Sequence, residues 1–154
     1  MTARLAAVVA SIAVIVLATE ARTAAQLGLG CTIEASPVAF GTYDVFANTP
    51  TTSSGSVTVR CTLGVAISIA LSTGGSGTYA PRRMQGATQT LAYNLYTDAT
   101  GSTVWGNGTG GTSTVGQLLQ ALVPVVRTVH ARVPARQDVP PGVYGDSVVA
   151  TIAF

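Results

Sequence analysis

The chain has 154 residues, 47% of them hydrophobic and only 9% charged, with a formal net charge of +2. Six Arg and five Asp or Glu follow residue 25 and Lys is absent throughout. No basic patch therefore argues for nucleic acid, and Lys-based Schiff-base chemistry and Lys–Asn isopeptide cross-links are excluded. So little charge leaves Thr, Ser and Gly to make up the exposed faces, as suits an exported β protein.

Arg4 is the one charge before the apolar run Leu5 to Ala18, which is short for a membrane span and has the length of a signal-peptide core. Small residues then offer cleavage after Ala21 or after Ala25, and the second site is favoured; an uncleaved anchor is the alternative. Residues 1–25 are thus expected to be a cleaved signal peptide, residues 26–30 a short N-terminal segment, and residues 31–154 one domain with a single core. Cys31 and Cys61 are the two cysteines, and an even pair in an exported chain most simply forms one disulfide. Free buried thiols or a redox pair are the alternatives, and no CxxC spacing supports the latter.

From Cys31 onward the hydrophobic period is two almost everywhere. Ile33 and Ala35 alternate until Pro37 interrupts, and the pattern resumes through Val38 and Phe40, which predicts an edge strand with a break. Residues 48–55 read as a Thr/Ser-rich connection. Val57, Val59, Cys61 and Leu63 line one face of the next strand, and Val65, Ile67, Ile69 and Leu71 continue after a bend at Gly64. Residues 72–77 and 106–112 read as turns. Between them, Leu91, Tyr93 and Leu95 form a core face. Residues 115–126 fit a strand after short coil better than a helix, given Pro124 and its β-branched neighbours. Val129, Ala131 and Val133 alternate with His130 and Arg132.

In the last stretch, Val148, Ala150, Ile152 and Phe154 share one face, and no turn or partner strand follows them. Such a strand must bury its apolar face, and its unpaired N–H and C=O groups invite another strand. The neighbour is expected from elsewhere in the chain or from another protein. Six or seven short strands joined by turns predict an all-β, immunoglobulin-like antiparallel β-sandwich.

Catalysis finds little to use, and no enzyme activity, small-molecule substrate, cofactor or metal is expected. His130 is the sole histidine and reads as solvent-facing or groove-rim. A triad drawn from His130, Asp138 or Asp146 and a serine lacks a nucleophile elbow. The glycine run at 106–111 lacks the Lys of a phosphate loop. Asn107-Gly108-Thr109 matches a glycosylation sequon, and an Asn-Gly turn explains it at least as well.

Several segments in fixed order resemble the spore coat protein U domain: Cys31-Thr32-Ile33, Val57-Thr58-Val59-Arg60-Cys61, the stretch Leu91 to Asp98 with Tyr93-Asn94-Leu95-Tyr96 at its centre, Trp105-Gly106-Asn107-Gly108-Thr109-Gly110, and the stretch Val133 to Asp146 ending in Pro-Pro-Gly-Val-Tyr-Gly-Asp. The resemblance covers essentially all of residues 31–154. That domain is shared with subunits of archaic chaperone–usher pili, so the resemblance implies an incomplete immunoglobulin-like fold lacking its last strand. A periplasmic pilus chaperone would lend that strand, and another pilus subunit would replace it at the outer-membrane usher, a form of β-strand addition. Val148, Ala150, Ile152 and Phe154 match the family's final strand and should line one wall of the acceptor groove.

The resemblance also implies export through the periplasm to the cell surface or beyond, and a role in attachment and biofilm formation. Cleavage after Ala25 would leave Leu27 and Leu29 as the pocket residues of a possible donor segment, five residues spanning at most about 17 Å. The chain is therefore expected to accept a strand better than it gives one, as a minor subunit would. Two further readings stand beside this. One is a self-complemented secreted or coat protein whose residues 26–30 or a loop cover the groove. The other is a tip module whose turns at 72–78 and 106–112 contact a surface or glycan, with Trp105 as the contact residue.

Overall fold

A computed structural model of the chain describes residues 30–154, together with the backbone of Val8–Val9 (β1) and Ala13–Val14 (β2). Apart from those two backbone pieces, the expected signal peptide, and with it Leu27 and Leu29, lies outside the described residues. The strands that follow are Cys31–Ser36 (β3), Thr42–Tyr43 (β4), Thr51–Cys61 (β5), Val65–Leu71 (β6), Arg82–Gln85 (β7), Thr90–Tyr96 (β8), Val115–Leu119 (β9), Val125–Val133 (β10), Asp146–Ser147 (β11) and Ala150–Ala153 (β12). One 3-10 turn, Gly74–Ser76, follows β6.

Alternation dictates two layers. A five-stranded sheet has the order β3-β5-β10-β8-β7, and a three-stranded sheet the order β12-β6-β9, with every pairing in both antiparallel. Val57, Val59, Leu91, Tyr93, Leu95, Val129, Ala131 and Val133 from the first sheet, and Ile67, Ile69, Leu71, Leu119 and Ala150 from the second, are all buried in one core. Each large side chain buried this way contributes about 1.5–3 kcal/mol. The fold is an immunoglobulin-like antiparallel β-sandwich, as the spacing of strands and turns predicted.

Cys31 and Cys61 are Cα partners in the β3–β5 register and are joined by a disulfide. β3 ends at Ser36, immediately before Pro37, and lies at the edge of its sheet. The chain resumes as β4, which pairs outside that sheet.

Two expectations need correction. Residues 51–55 are strand, not connection: Thr51–Val59 pairs residue by residue with β10, and Ser56–Cys61 pairs with β3 on the other side. The glycine at 55 has a packing cause, because a Cβ added there would lie 2.9 Å from Ser36 O and 2.9 Å from Val38 Cγ2. Leu63 falls beyond the end of β5 and is exposed rather than on the core face. Residues 115–126 form β9, a turn, and the start of β10, in agreement with the strand reading.

Candidate strand-acceptor site

The last segment crosses from one sheet to the other. Gly145 exchanges backbone hydrogen bonds with Gln85 of β7, at 2.7 and 3.0 Å, while β12 pairs with β6 from Ala150↔Leu71 to Ala153↔Ser68. Between them the regular ladder is interrupted at Val148–Val149. There Ser72 takes over: its N–H donates to Val149 O and its Oγ accepts from Val149 N–H, both at 2.9 Å. Alternation survives the interruption. Val148 and Ala150 are fully buried and Ile152 is partly buried, whereas Phe154 is 45% exposed.

Ser72 is itself held by a buried cation. Arg82, which has no exposed surface, donates from Nε and Nη2 to Ser72 O, from Nη2 to Trp105 O at 2.7 Å, and from Nη1 to Asn94 Oδ1 at 2.8 Å. Its guanidinium lies 4.9 Å from the Tyr79 ring centroid. Burial pushes the guanidinium below its ordinary pKa, opposed by Tyr93, Tyr79 and Asp146. Every one of these hydrogen bonds ends on an uncharged acceptor, so the group ties together three chain segments rather than forming an ion pair.

Asp146 anchors the start of β11. It accepts from Tyr93 Oη and Gly75 N–H, both at 2.7 Å, and from Ser147 N–H at 2.8 Å. Burial, then the bond to this carboxylate, hold the Tyr93 phenol well above its ordinary pKa. Gly74, at φ 68°, must be glycine here, since a Cβ would come within 2.1 Å of Asp146 Oδ2. Tyr144 donates to Pro140 O at 2.7 Å and packs over Gly86, where an added Cβ would meet Tyr144 Cε1 at 2.5 Å. The motifs Tyr-Asn-Leu-Tyr and Pro-Pro-Gly-Val-Tyr-Gly-Asp thus meet at one place and fix the final segment.

On the far side of this segment lies another backbone edge. Asp146–Ser147 pairs in parallel with Ala13–Val14, and Thr42–Tyr43 pairs antiparallel with Val8–Val9. One short stretch of chain therefore hydrogen-bonds to both β4 and β11. Tyr43 is fully buried; its hydroxyl donates to Pro134 O at 2.7 Å and accepts from Gln137 N–H at 2.8 Å, which fastens β4 to the loop after β10.

The other sequence candidates fall elsewhere. Trp105 is buried, with Nε1 donating to Ile69 O at 3.0 Å, so it cannot serve as a surface contact. The two turns proposed to flank a ligand do meet, around a cleft of about 670 Å³ lined by Ser72, Thr73, Thr78, Asn107 and Thr109 among others. Asn107 Oδ1 accepts from Thr109 N–H and Oγ1, the side-chain-to-backbone turn that explains this tripeptide. His130 is half-buried in a separate cleft that includes neither Asp138 nor Asp146. Among the described residues no group of three or more His, Cys, Asp or Glu is placed to hold a metal ion.

Arg82 and Ser72 were not singled out by sequence reasoning. The available signal was the alternation of Arg82 and Met84 with Arg83 and Gln85, in which the first pair is buried and the second exposed.

The spore coat protein U domain family model matches residues 17–151. The chain belongs to that family. Among its relatives in the spore coat U family is Protein U of Myxococcus xanthus, 41% identical over 131 residues that cover 75% of this chain and 70% of that one. A solved relative in shape is a chain in the crystal structure of the CsuC–CsuE chaperone–tip adhesion subunit pre-assembly complex from archaic chaperone–usher Csu pili of Acinetobacter baumannii. It superposes with a TM-score of 0.58 at 22% identity, over 82% of this spore coat U chain. This chain spans 40% of the length of that one, and the likeness is one of fold.

Proposed function

We propose that the protein is a structural subunit of a surface fibre of the archaic chaperone–usher type, and that it accepts a β-strand between β4 and the β11–β12 segment. The observation that carries this is the double pairing: β1 on Thr42–Tyr43 and β2 on Asp146–Ser147, so that both edges take an added strand. The family match, and the sandwich shared with a chain of a chaperone–tip adhesion subunit complex, support the same reading. In this reading residues 1–25 are removed on export and residues 31–154 remain as the pilin domain. Val148, Ala150, Ile152 and Phe154 then line one wall of the vacated groove. A periplasmic chaperone fills it first and another subunit afterwards, at the outer-membrane usher. The mature protein sits on the cell surface, as a minor component serving attachment and biofilm formation, with Leu27 and Leu29 as its limited donor segment.

A second reading rests on the same pairing. If residues 8–14 stay on the mature chain, its own strand completes the sandwich, and the protein is a self-sufficient secreted or coat component. N-terminal sequencing of the exported protein separates the two. The first reading is tested by adding a synthetic peptide of residues 5–18 to purified residues 26–154 and following hydrogen exchange. The amides of 146–153 should exchange fast alone and slowly with peptide; slow exchange without peptide would overturn it.

A further inference from the structure

Alternation along β10 buries Val129, Ala131 and Val133 and turns His130 and Arg132 to the outer face of the five-stranded sheet. Register then decides their neighbours. Ser54 and Tyr96 lie on either side of His130, and Thr52 lies beside Arg132, as directly opposed residues on adjacent strands. These five side chains, with the loop that follows β8, line a cleft of about 450 Å³. That volume falls in the range of small-molecule sites.

The cation in this cleft is fixed before anything binds. Arg132 Nη2 donates to Thr100 O at 2.9 Å, and Arg132 Cζ lies 5.9 Å from the Tyr96 ring centroid. A Cβ at Gly101 would come within 2.9 Å of the same Cζ, so the loop can pass this close to the guanidinium only because residue 101, at φ 71°, is glycine. Asp98 also lines the cleft, and its carboxylate is turned to its own loop, where Thr100 Oγ1, Ser102 N–H and Thr103 N–H donate to it. Arg132 Nη1, the His130 ring nitrogens and the hydroxyls of Thr52, Ser54 and Tyr96 have no hydrogen-bond partner among the described residues. In a chain that is 9% charged and holds one histidine, these groups converge on one cleft with most of their hydrogen-bonding capacity unspent.

We infer that the cleft binds a carboxylated sugar, with the Arg132 guanidinium on the carboxylate and Thr52, Ser54, Tyr96 and His130 on the ring hydroxyls. A guanidinium held in place matches the paired oxygens of a carboxylate. Side-chain hydroxyls and imidazole both donate and accept, as the hydroxyls of a sugar require. The inference does not rest on the strand-accepting reading, because neither β4 nor the β11–β12 segment lines this cleft.

The test titrates the exported protein, purified from producing cells, with sodium glucuronate, glucose and sodium acetate, and reads binding on the ligand protons by saturation-transfer NMR. Glucuronate should bind, and glucose and acetate should each bind at least about tenfold more weakly, because each keeps only half of the recognised chemistry. Arg132→Gln should weaken glucuronate about tenfold and leave glucose unchanged. Thr52→Val with Ser54→Val, which keeps strand-compatible side chains at exposed positions, should weaken glucuronate by a similar factor at the wild-type thermal midpoint. Thr151→Val, in the cleft on the other sheet, should leave glucuronate binding as it is. No transfer to glucuronate, or equal binding of glucose or of acetate, would overturn the ligand class. Unchanged glucuronate binding in both cleft variants, or a loss caused by Thr151→Val instead, would overturn the site.

Discussion

Tyr93 donates its hydroxyl proton to Asp146 Oδ2 at 2.7 Å and so joins the middle of β8 to the first residue of β11. The bond is buried at both ends, and Asp146 also takes two backbone N–H groups. The β11 edge is therefore positioned from the core rather than by its own strand propensity.

Removing either partner should cost stability unequally. Tyr93→Phe loses one bond to a charged acceptor that keeps two donors, about 1.5–3 kcal/mol. Asp146→Ala leaves both the Tyr93 hydroxyl and Gly75 N–H without a buried partner and should cost more, about 2–6 kcal/mol at about 1–3 kcal/mol per orphaned group. Urea midpoints on the disulfide-intact protein measure both. The raised phenol pKa gives an alkaline signature. Tyr93 stays neutral in the fold while its unfolded counterpart ionises near pH 10, so its contribution is whole below about pH 10 and lost as pH rises further. Tyr93→Phe should flatten that alkaline limb.

Arg82 offers a sharper test of what the network is for. Arg82→Ala strips donors from Ser72 O, Trp105 O and Asn94 Oδ1 and leaves a void, so a loss of about 4 kcal/mol or more is expected. Arg82→Lys keeps the charge but cannot supply the planar fork, and should recover less than half of that. Amide exchange at Val149, whose partner is Ser72, should accelerate before exchange in β5 or β10 does.

These residues show where the sequence was legible. Val129, Ala131 and Val133, or Leu91, Tyr93 and Leu95, announce their strands by period two, because each apolar side chain falls on one buried face. The Cys31–Cys61 bridge followed from compartment and count. Thr51–Gly55 and Arg82–Gln85 did not read as strands. The first carries small polar residues where Ser36–Val38 passes close by, and the second carries a buried cation in a position that period two reserves for apolar side chains. Both are set by partners distant in sequence. Val148, Ala150 and Ile152 were legible as an alternating face, but β4, the other strand of the proposed groove, is two residues long and carries no periodic signal.

The disulfide joins residues 30 apart at the sheet edge. Closing a loop of that length restricts the unfolded chain by about 3–4 kcal/mol in the chain-entropy view. Reduction, or Cys31→Ser with Cys61→Ser, should lower the unfolding free energy by about that amount. Because β3 is the edge strand of its sheet and pairs there with β5 alone, fraying should begin at β3 and leave β8 and β10 protected.

Asp98 should set the acid limb at the opposite loop. Its carboxylate accepts from Thr100 Oγ1, Ser102 N–H and Thr103 N–H, and these bonds hold its pKa below the ordinary carboxylate range. The folded pKa is depressed, so the stabilisation is present above about pH 4 and is lost as pH falls through the folded value. An NMR titration of the carboxyl carbon should show a midpoint below that of Glu or Asp in unfolded peptides, and Asp98→Asn should weaken the acid dependence.

The proposed acceptor groove can be probed on a single strand. Ile152 and Thr151 are adjacent on β12 and face opposite ways, one partly buried and one exposed. If an added strand packs on the inner face, Ile152→Thr removes part of one apolar contact, of the order of 1.4 kcal/mol, which is tenfold in affinity. Capture of the residue 5–18 peptide by purified residues 26–154 should weaken about tenfold for Ile152→Thr and stay within twofold for Thr151→Val. Equal effects at the two positions would mean that the strand is held by backbone pairing alone, and that the alternating face plays no part in choosing its partner.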